Sequence, residues 1–231
     1  MAIAPQNNEA FLREVDEQVR IDSAQRFWKR WGTIIIGLVI VALVVLGGWL
    51  WWDANRKATA GVDGEKLALA LDNLSEGRTT KAETELKALT DSASPGNRAA
   101  SQLAIAASLL TKNDTKGAIA AYAKVAADTS LGQPFRDVAT IRGTAAGFDT
   151  MKPEEVIAKL KPLAVKGNPW FGSAGEMTAI SYMKINKTRE AGELFAALGK
   201  DEGVPESIRS RSVQLASVLG VDVTPVAKGR N

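Results

Sequence analysis

The sequence predicts an all-α protein in which one transmembrane helix precedes an array of helical hairpins. Three observations lead to this prediction. An uncharged apolar run occupies residues 33–52. A helical pattern rich in Ala and Leu follows it, without the alternation of polar and apolar residues that strands show. Within that pattern similar segments recur about every 36 residues, which is typical of stacked helical hairpins.

The apolar run, TIIIGLVIVALVVLGGWLWW, is 20 residues long. As a helix it extends about 30 Å, the thickness of a bilayer's hydrocarbon core. A buried core helix is the alternative, but such a helix is rarely apolar on every face. We therefore expect a transmembrane helix at residues 31–52. Tryptophans stand where its two interfaces would be, at Trp28, Trp31, Trp49, Trp51 and Trp52.

Basic residues next to the span predict its orientation. More of them precede the span than follow it, where only Arg56 and Lys57 lie close. Because cytoplasmic flanks carry the excess of positive charge, we expect the N-terminus in the cytoplasm and the C-terminal domain in the periplasm, across a bacterial inner membrane. The topology-determining residues are Arg20, Arg26, Lys29 and Arg30.

A cleaved signal peptide is the competing interpretation, because Ala58-Thr59-Ala60 resembles a cleavage site. The apolar run is longer than the usual stretch of about 7–15 residues, however. Five acidic residues also precede it, unlike the short basic region that begins a signal peptide. A retained signal anchor is therefore favoured.

Residues 1–30 are predicted to be a cytoplasmic N-terminal segment with an amphipathic helix. Three roles fit it equally: lying on the inner face of the lipid bilayer, docking onto a cytoplasmic partner, or extending the membrane helix into solvent. Residues 53–63 are expected to form a juxtamembrane linker. The apolar side of the amphipathic helix consists of Phe11, Leu12, Val15 and Val19.

Residues 64–220 contain the internal repeat. Its anchors, at the predicted turns within the hairpins, lie 36, 38 and 35 residues apart; they are Gly77, Asn113, Met151 and Asn186. Gly or Asn near a helix end tolerates the left-handed backbone that closes the helix. Five positions after each anchor stands a small residue or Val. These four residues form the first column. Larger residues stand four positions after it, in the second column, and seven positions after it, in the third. A small residue stands twelve positions before it, in the fourth column. Four columns that agree in four units predict about four hairpins. The columns are Ala82, Ala118, Val156 and Ala191; Leu86, Tyr122, Leu160 and Phe195; Leu89, Val125, Leu163 and Leu198; and Ala70, Ala106, Thr144 and Ala179.

The positions of the prolines agree with this division into hairpins. Pro95, Pro134, Pro169 and Pro205 fall between units, where a helix is expected to stop or start. After Pro205 we expect a terminal helix that caps the array, and then a flexible tail at residues 221–231.

The composition argues against an enzyme. The chain has no Cys and no His, which removes thiolate chemistry, the Ser-His-Asp arrangement and nearly all zinc sites. We therefore predict no catalytic residue, no metal site and no cofactor. The net charge is +3, and both signs are interspersed after the span, so no nucleic-acid surface is indicated.

The repeat columns resemble the tetratricopeptide repeat, whose pattern has small residues in both helices and a large aromatic residue one turn after the second. The match is degenerate. The positions of the usual early Trp hold Lys66, Gln102, Thr140 and Gly175 instead.

The order of parts is more specific than the repeats. A FLREVDEQVR segment leads to FWKRWG, then to one anchor and an Ala-rich domain of about four hairpins. In this layout the chain resembles the YfgM-like family, ancillary subunits of the SecYEG translocon. The resemblance implies a periplasmic repeat domain without a catalytic motif. It also implies two partners, the SecYEG translocon and a membrane-anchored periplasmic chaperone.

In tetratricopeptide arrays the first helix of each hairpin lines a concave surface. The columns place apolar residues there, which suits unfolded polypeptide clients or a partner's amphipathic helix. The alternative, that these residues are core, is slightly favoured because apolar stripes at helical spacing are usually core. We name this set the apolar stripe; it consists of Leu67, Leu71, Leu74, Leu103, Ala107, Leu110, Ile141, Ala145, Phe148, Ile180 and Met183.

Two functions therefore remain open at the level of sequence. The first is a protein-interaction module in the periplasm, working beside the translocon. The second is a structural scaffold of another envelope complex, such as one for cell division or outer-membrane assembly, that binds no client.

Overall fold

The computed structural model describes the backbone of residues 6–223 and the side chains of residues 28–223. The amphipathic pattern predicted before residue 28 and most of the tail predicted at residues 221–231 lie outside the described residues. Within the described part every regular element is a helix, and the prediction of an all-α fold is confirmed.

The helices follow one another with short connections. They are α1 (Gln6–Ser75), α2 (Thr79–Ala88), α3 (Pro95–Thr111), α4 (Thr115–Ala127), α5 (Gln133–Gly147), α6 (Pro153–Leu160), α7 (Phe171–Lys184), α8 (Thr188–Lys200) and α9 (Glu206–Val218). The chain divides into two compact units, Met1–Ala58 and Thr59–Asn231.

The first unit is dominated by the apolar part of α1. Within the described residues, this is the helix that is long and apolar enough to cross a membrane. Its large side chains are not covered by protein; Val44, for example, is 69 % exposed. A surface of this size and apolarity is unfavourable in water and favourable in a bilayer. The helix is therefore compatible with a single-pass membrane anchor.

Helix α1 continues without a break through residues 53–63, the segment predicted to be a linker. In the second unit, its last turns bond to the segment that leads into α3. The Asn97 amide donates to the Ala60 carbonyl at 2.9 Å, and the Ser92 hydroxyl donates to the Asp63 carboxylate at 2.6 Å. These bonds join the last turns of α1 to the repeat array within the second unit, which begins at Thr59.

Three of the four predicted turns close in the same way. Gly77, Asn113 and Asn186 have φ of 79°, 62° and 60°, the left-handed conformation that Gly and Asn tolerate best. After each, the next N–H donates to the carbonyl five residues back, as Asp114 does to Leu109 at 2.9 Å. The left-handed residue therefore ends the first helix of the hairpin and turns the chain into the second.

The fourth turn, at Met151, has no left-handed residue. There the Met151 N–H donates to the Gly147 carbonyl at 2.8 Å, and Pro153 starts α6 directly afterwards. Pro at the first helical position costs no hydrogen bond, because that N–H has no partner within the helix.

The repeat columns form the core of the second unit. Every residue in the four columns is at most 8 % exposed, including Tyr122, Leu160 and Phe195 among the larger side chains. Small residues permit close approach elsewhere too: a Cβ on Gly143 would lie 2.9 Å from the Cβ of Tyr122, too close for two carbons. Helix α5 can therefore pack tightly on α4 only because Gly143 has no side chain.

The terminal helix α9 packs on α8 and α7. Ala216 and Ser212 are fully buried in this contact, whereas Arg211 is exposed. A polar outer face at the end of an array keeps the last hairpin soluble. The apolar residues of α9 that pack against the neighbouring core cluster are Ile208, Val213, Leu215 and Leu219.

Candidate protein-interaction surface

The candidate surface is carried by the first helices of successive hairpins. Helix α3 contacts α5, and α5 contacts α7. Each of these helices begins after an ordered turn that sets its rotation. The Ser94 hydroxyl accepts from the Asn97 N–H at 3.5 Å at the start of α3, and Pro134 occupies the first turn of α5. Equivalent residues of the three helices are therefore held side by side.

Most of the apolar stripe is half-buried. Only Ile141 is buried among core residues, together with Leu160 and Val156. Leu71 and Ala145, which hold the same column two hairpins apart, are exposed. The half-buried members are Leu67, Leu74, Leu103, Ala107, Leu110, Phe148, Ile180 and Met183.

Half-burial has a simple cause in this architecture. Leu103 and Leu110 pack against the cluster that contains Tyr122, while Phe148 packs against the cluster that contains Leu160. One side of each residue thus contributes to its own hairpin's core, and the other remains accessible to solvent. Such a surface can gain apolar contact with a ligand without first unfolding.

A lysine covers part of this surface. The Lys184 ammonium lies 4.3 Å from the centre of the Phe148 ring, so a residue at the end of α7 reaches across to the end of α5. A cation over an aromatic ring is attracted to the π-electrons, with a stabilisation of about 0.5–1 kcal/mol at an exposed site. An arriving apolar ligand would displace this contact.

An ion pair ends the stripe at its C-terminal side. Glu176 holds the position that Leu103 and Ile141 hold in earlier hairpins, 35 residues after Ile141. Its carboxylate accepts from Nε and Nη2 of Arg211 on α9, at 2.9 Å and 3.0 Å. The hydrogen bonds that Arg211 donates to Glu176, with the attraction of that negative charge, raise the pKa of Arg211. Their two-point geometry fixes α9 against α7.

Sequence reasoning missed both Glu176 and Lys184. Extending the repeat column from Ile141 by the spacing of the anchors would have found Glu176. No sequence signal identifies Lys184, because its contact with Phe148 depends on how far apart the ends of α5 and α7 lie.

A second polar link joins the first two hairpins. The Glu83 carboxylate of α2 accepts from the Ser108 hydroxyl at 3.2 Å and pairs with the Lys112 ammonium at 2.5 Å. The hydrogen bond from Lys112, with that from Ser108 and the nearby positive charges, lowers the pKa of Glu83 despite its partial desolvation. This carboxylate therefore stays ionised and joins the middle of α2 to the C-terminal end of α3.

The predicted topology residues are only partly described. Lys29 and Arg30 are exposed on α1, whereas the side chains of Arg20 and Arg26 lie outside the described residues. After the apolar run, Lys57 pairs with Asp53 at 2.7 Å. Among the side chains that the structure describes, no cluster of acidic residues is arranged to hold a metal ion.

Comparison with known proteins gives one match. The model of the family described as tetratricopeptide repeat-like domain matches residues 25–199, which include the apolar run of α1 and the four hairpins. No curated protein matches the chain. No solved structure matches it either.

Proposed function

The chain belongs to the tetratricopeptide repeat-like domain family, and from this we propose that it is a non-enzymatic inner-membrane protein whose periplasmic repeat domain binds other proteins beside the SecYEG translocon. Repeat arrays of this kind are typical interaction modules, because stacking hairpins creates one extended surface. The proposal therefore concerns which proteins are bound, and on which side of the membrane.

The observation that carries the proposal is the half-buried apolar stripe. A stripe that was entirely core would leave no surface for a ligand, and a polar one would select charged peptides. Leu71, Leu110 and Phe148 instead offer partly accessible aliphatic and aromatic surface on three successive first helices. Apolar segments of unfolded or newly translocated chains, or an amphipathic helix of a chaperone, suit such a surface.

The anchor supports a site of action at the membrane. Trp28, Trp31, Trp49, Trp51 and Trp52 are exposed and flank the apolar helix at both ends, as interfacial tryptophans do. The resemblance to ancillary translocon subunits supports the choice of the translocon and a membrane-anchored periplasmic chaperone as partners. A scaffold of another envelope complex remains the second candidate, because a repeat surface serves it equally.

Capture of partners from gently solubilised membranes distinguishes the two candidates. The tagged full-length protein is expected to retain translocon subunits and a membrane-anchored chaperone in preference to cell-division or outer-membrane assembly proteins. A matched pair of variants, Leu71→Ser and Leu69→Ser, tests the stripe. Leu71 belongs to the stripe and Leu69 does not, although both side chains are exposed, at 44 % and 55 %. Leu71→Ser should reduce capture of the chaperone and Leu69→Ser should not. Predominance of another envelope complex would instead support the scaffold.

Reporter fusions are expected to place the two ends of the chain on opposite sides of the membrane. A reporter that is active only outside the cytoplasm should work when fused after Asn231 and fail when fused before Met1, because the basic residues precede the span. Opposite activities would overturn the periplasmic assignment. N-terminal sequencing that found a mature chain beginning at Gly61 would show that the apolar run is a cleaved signal peptide.

A further inference from the structure

A pocket of about 290 Å³ opens in the second unit between α4 and α6, both of which pack on α5. It lies on a different face of α5 from the apolar stripe. Ala139 and Gly143 of α5 line the pocket, whereas Ile141 and Ala145 belong to the stripe, and residues two apart on a helix point in different directions. The pocket is therefore a separate feature of the array.

The sequence explains why this space is empty. Helix α4 contributes Ala123, Ala126 and Ala127 to the lining, and none of them is longer than a methyl group. Gly143 lies at the floor of the pocket, close against Tyr122 of α4, and adds no side chain to the lining. Helix α6 has only 8 residues, against 13 in α4, so it fills less of the gap.

The pocket is apolar with a positive charge at its edge. Lys159 is the charged residue among those that line it, and its pairing with Glu155 is loose, at 3.7 Å with both side chains exposed to solvent. The hydroxyl of Thr140 is satisfied by the Arg136 carbonyl at 2.9 Å and adds no free donor. Lys116, one turn before Ile119 on the same face of α4, is exposed. The edge of the apolar floor thus carries Lys159, with Glu155 beside it, and Lys116 lies one turn beyond the lining.

The volume indicates what would fill it. A cavity of about 150 Å³ holds one benzene ring, so this pocket has room for two side chains of the size of Leu or Phe. Residues four apart on a helix present two such side chains on one face. A helix lying along the groove between α4 and α6 would insert both of them.

We propose that this pocket is a second protein-binding site, and that its occupant is an amphipathic helix of a partner protein. The partner inserts two apolar side chains four residues apart and turns carboxylates towards Lys159 and Lys116. Site and ligand match in shape through the alanine-lined groove and in charge through the two lysines. The inference goes beyond the proposed function, because it adds a site that does not use the stripe.

Binding of designed peptides to the full-length protein in nanodiscs of zwitterionic lipid tests this site. The probe is a fluorescent peptide with helix-forming sequence, two Leu four residues apart and Glu on the flanks, followed by fluorescence anisotropy. Replacing both Leu by Ala should weaken binding about tenfold or more, because two apolar anchors are lost. Replacing the Glu residues by Lys should also weaken it.

Protein variants identify the pocket. Ala123→Leu fills it and should weaken binding about tenfold, whereas Ala120→Leu, an exposed position on α4 outside the lining, should leave affinity unchanged. Lys159→Glu should reverse the preference between the acidic and basic peptides. Thermal melts establish whether Ala123→Leu is folded. If that variant does not fold, Lys159→Glu, at an exposed position, still tests the proposal.

Three results would overturn the proposal. The first is equal affinity of the wild type, Ala123→Leu and Ala120→Leu for the acidic peptide. The second is no effect of Lys159→Glu on the charge preference. The third is loss of peptide binding in a Leu110→Ser and Phe148→Ser double variant, since the peptide would then lie on the stripe.

Discussion

Replacing Ala118 with Trp is expected to destabilise the repeat domain by about 3 kcal/mol or more. Ala118 has no exposed surface and lies in the core cluster of α3, α4 and α5 with Tyr122 and Ala106. An indole ring there cannot be accommodated unless two helices move apart, because protein interiors are close-packed. For a domain of this size the change corresponds to a melting temperature lower by about 6–12 °C.

The control for this prediction is Lys116→Trp, on the same helix. Lys116 is exposed, so a large ring at that position meets solvent and should leave the melting temperature almost unchanged. Both variants are compared with the wild type as full-length protein in mild detergent, by thermal melts followed by circular dichroism. Equal effects at the two positions would contradict the register of the repeat.

The double variant Leu110→Ser and Phe148→Ser is expected to lose most client binding while remaining folded. Both residues are half-buried, so each contributes about 1 kcal/mol to stability, roughly half of what full burial gives. The pair should therefore lower the melting temperature by about 4–8 °C. Binding of an unfolded polypeptide, such as a reduced and carboxymethylated model protein, should weaken tenfold or more, because the two largest anchors of the stripe are lost.

The matched control is Leu69→Ser with Val218→Ser, which changes two exposed apolar residues outside the stripe. This variant should keep both its melting temperature and its client affinity. If the stripe variant instead melts far earlier than expected and binds normally once folded, its side chains belong to the core and the client site lies elsewhere. The wild type should also delay aggregation of the client. Loss of this delay in the stripe variant, but not in the control variant, would likewise place the client site on the stripe.

The architecture of the repeat domain followed from local patterns in the sequence. Gly77, Asn113 and Asn186 were identified as turn residues because Gly and Asn tolerate a left-handed backbone, and all three adopt it. The columns through Ala118 and Tyr122 were identified by spacing alone, and every member is buried. Such patterns are readable because each hairpin repeats the same local requirement: a small residue at the helix contact and a large one a turn later.

The continuation of α1 through residues 53–63 was harder to predict from the sequence. The linker was predicted from its position between the apolar run and the repeats, yet residues 53–63 contain no Pro, and α1 runs through them. Asn97 and Ser92 bond to Ala60 and Asp63 of this segment, which joins the last turns of α1 to the repeat array. Contacts between residues about 30 or more positions apart decide this, and no local pattern records them.

By itself the sequence determined that this protein has one apolar helix of membrane length, no His or Cys chemistry, and a core built from four aligned columns. Only the tertiary structure decided how far each stripe residue is covered: Ile141 is buried, whereas Ala145, one turn later, is exposed. It also decided that the alanines of α4 and the short α6 leave a pocket over α5. The physical reason is the same in both cases. Periodicity fixes which side of a helix is apolar, but the angle and distance between successive hairpins set how much of that side remains accessible, and these arise from packing between side chains one repeat apart.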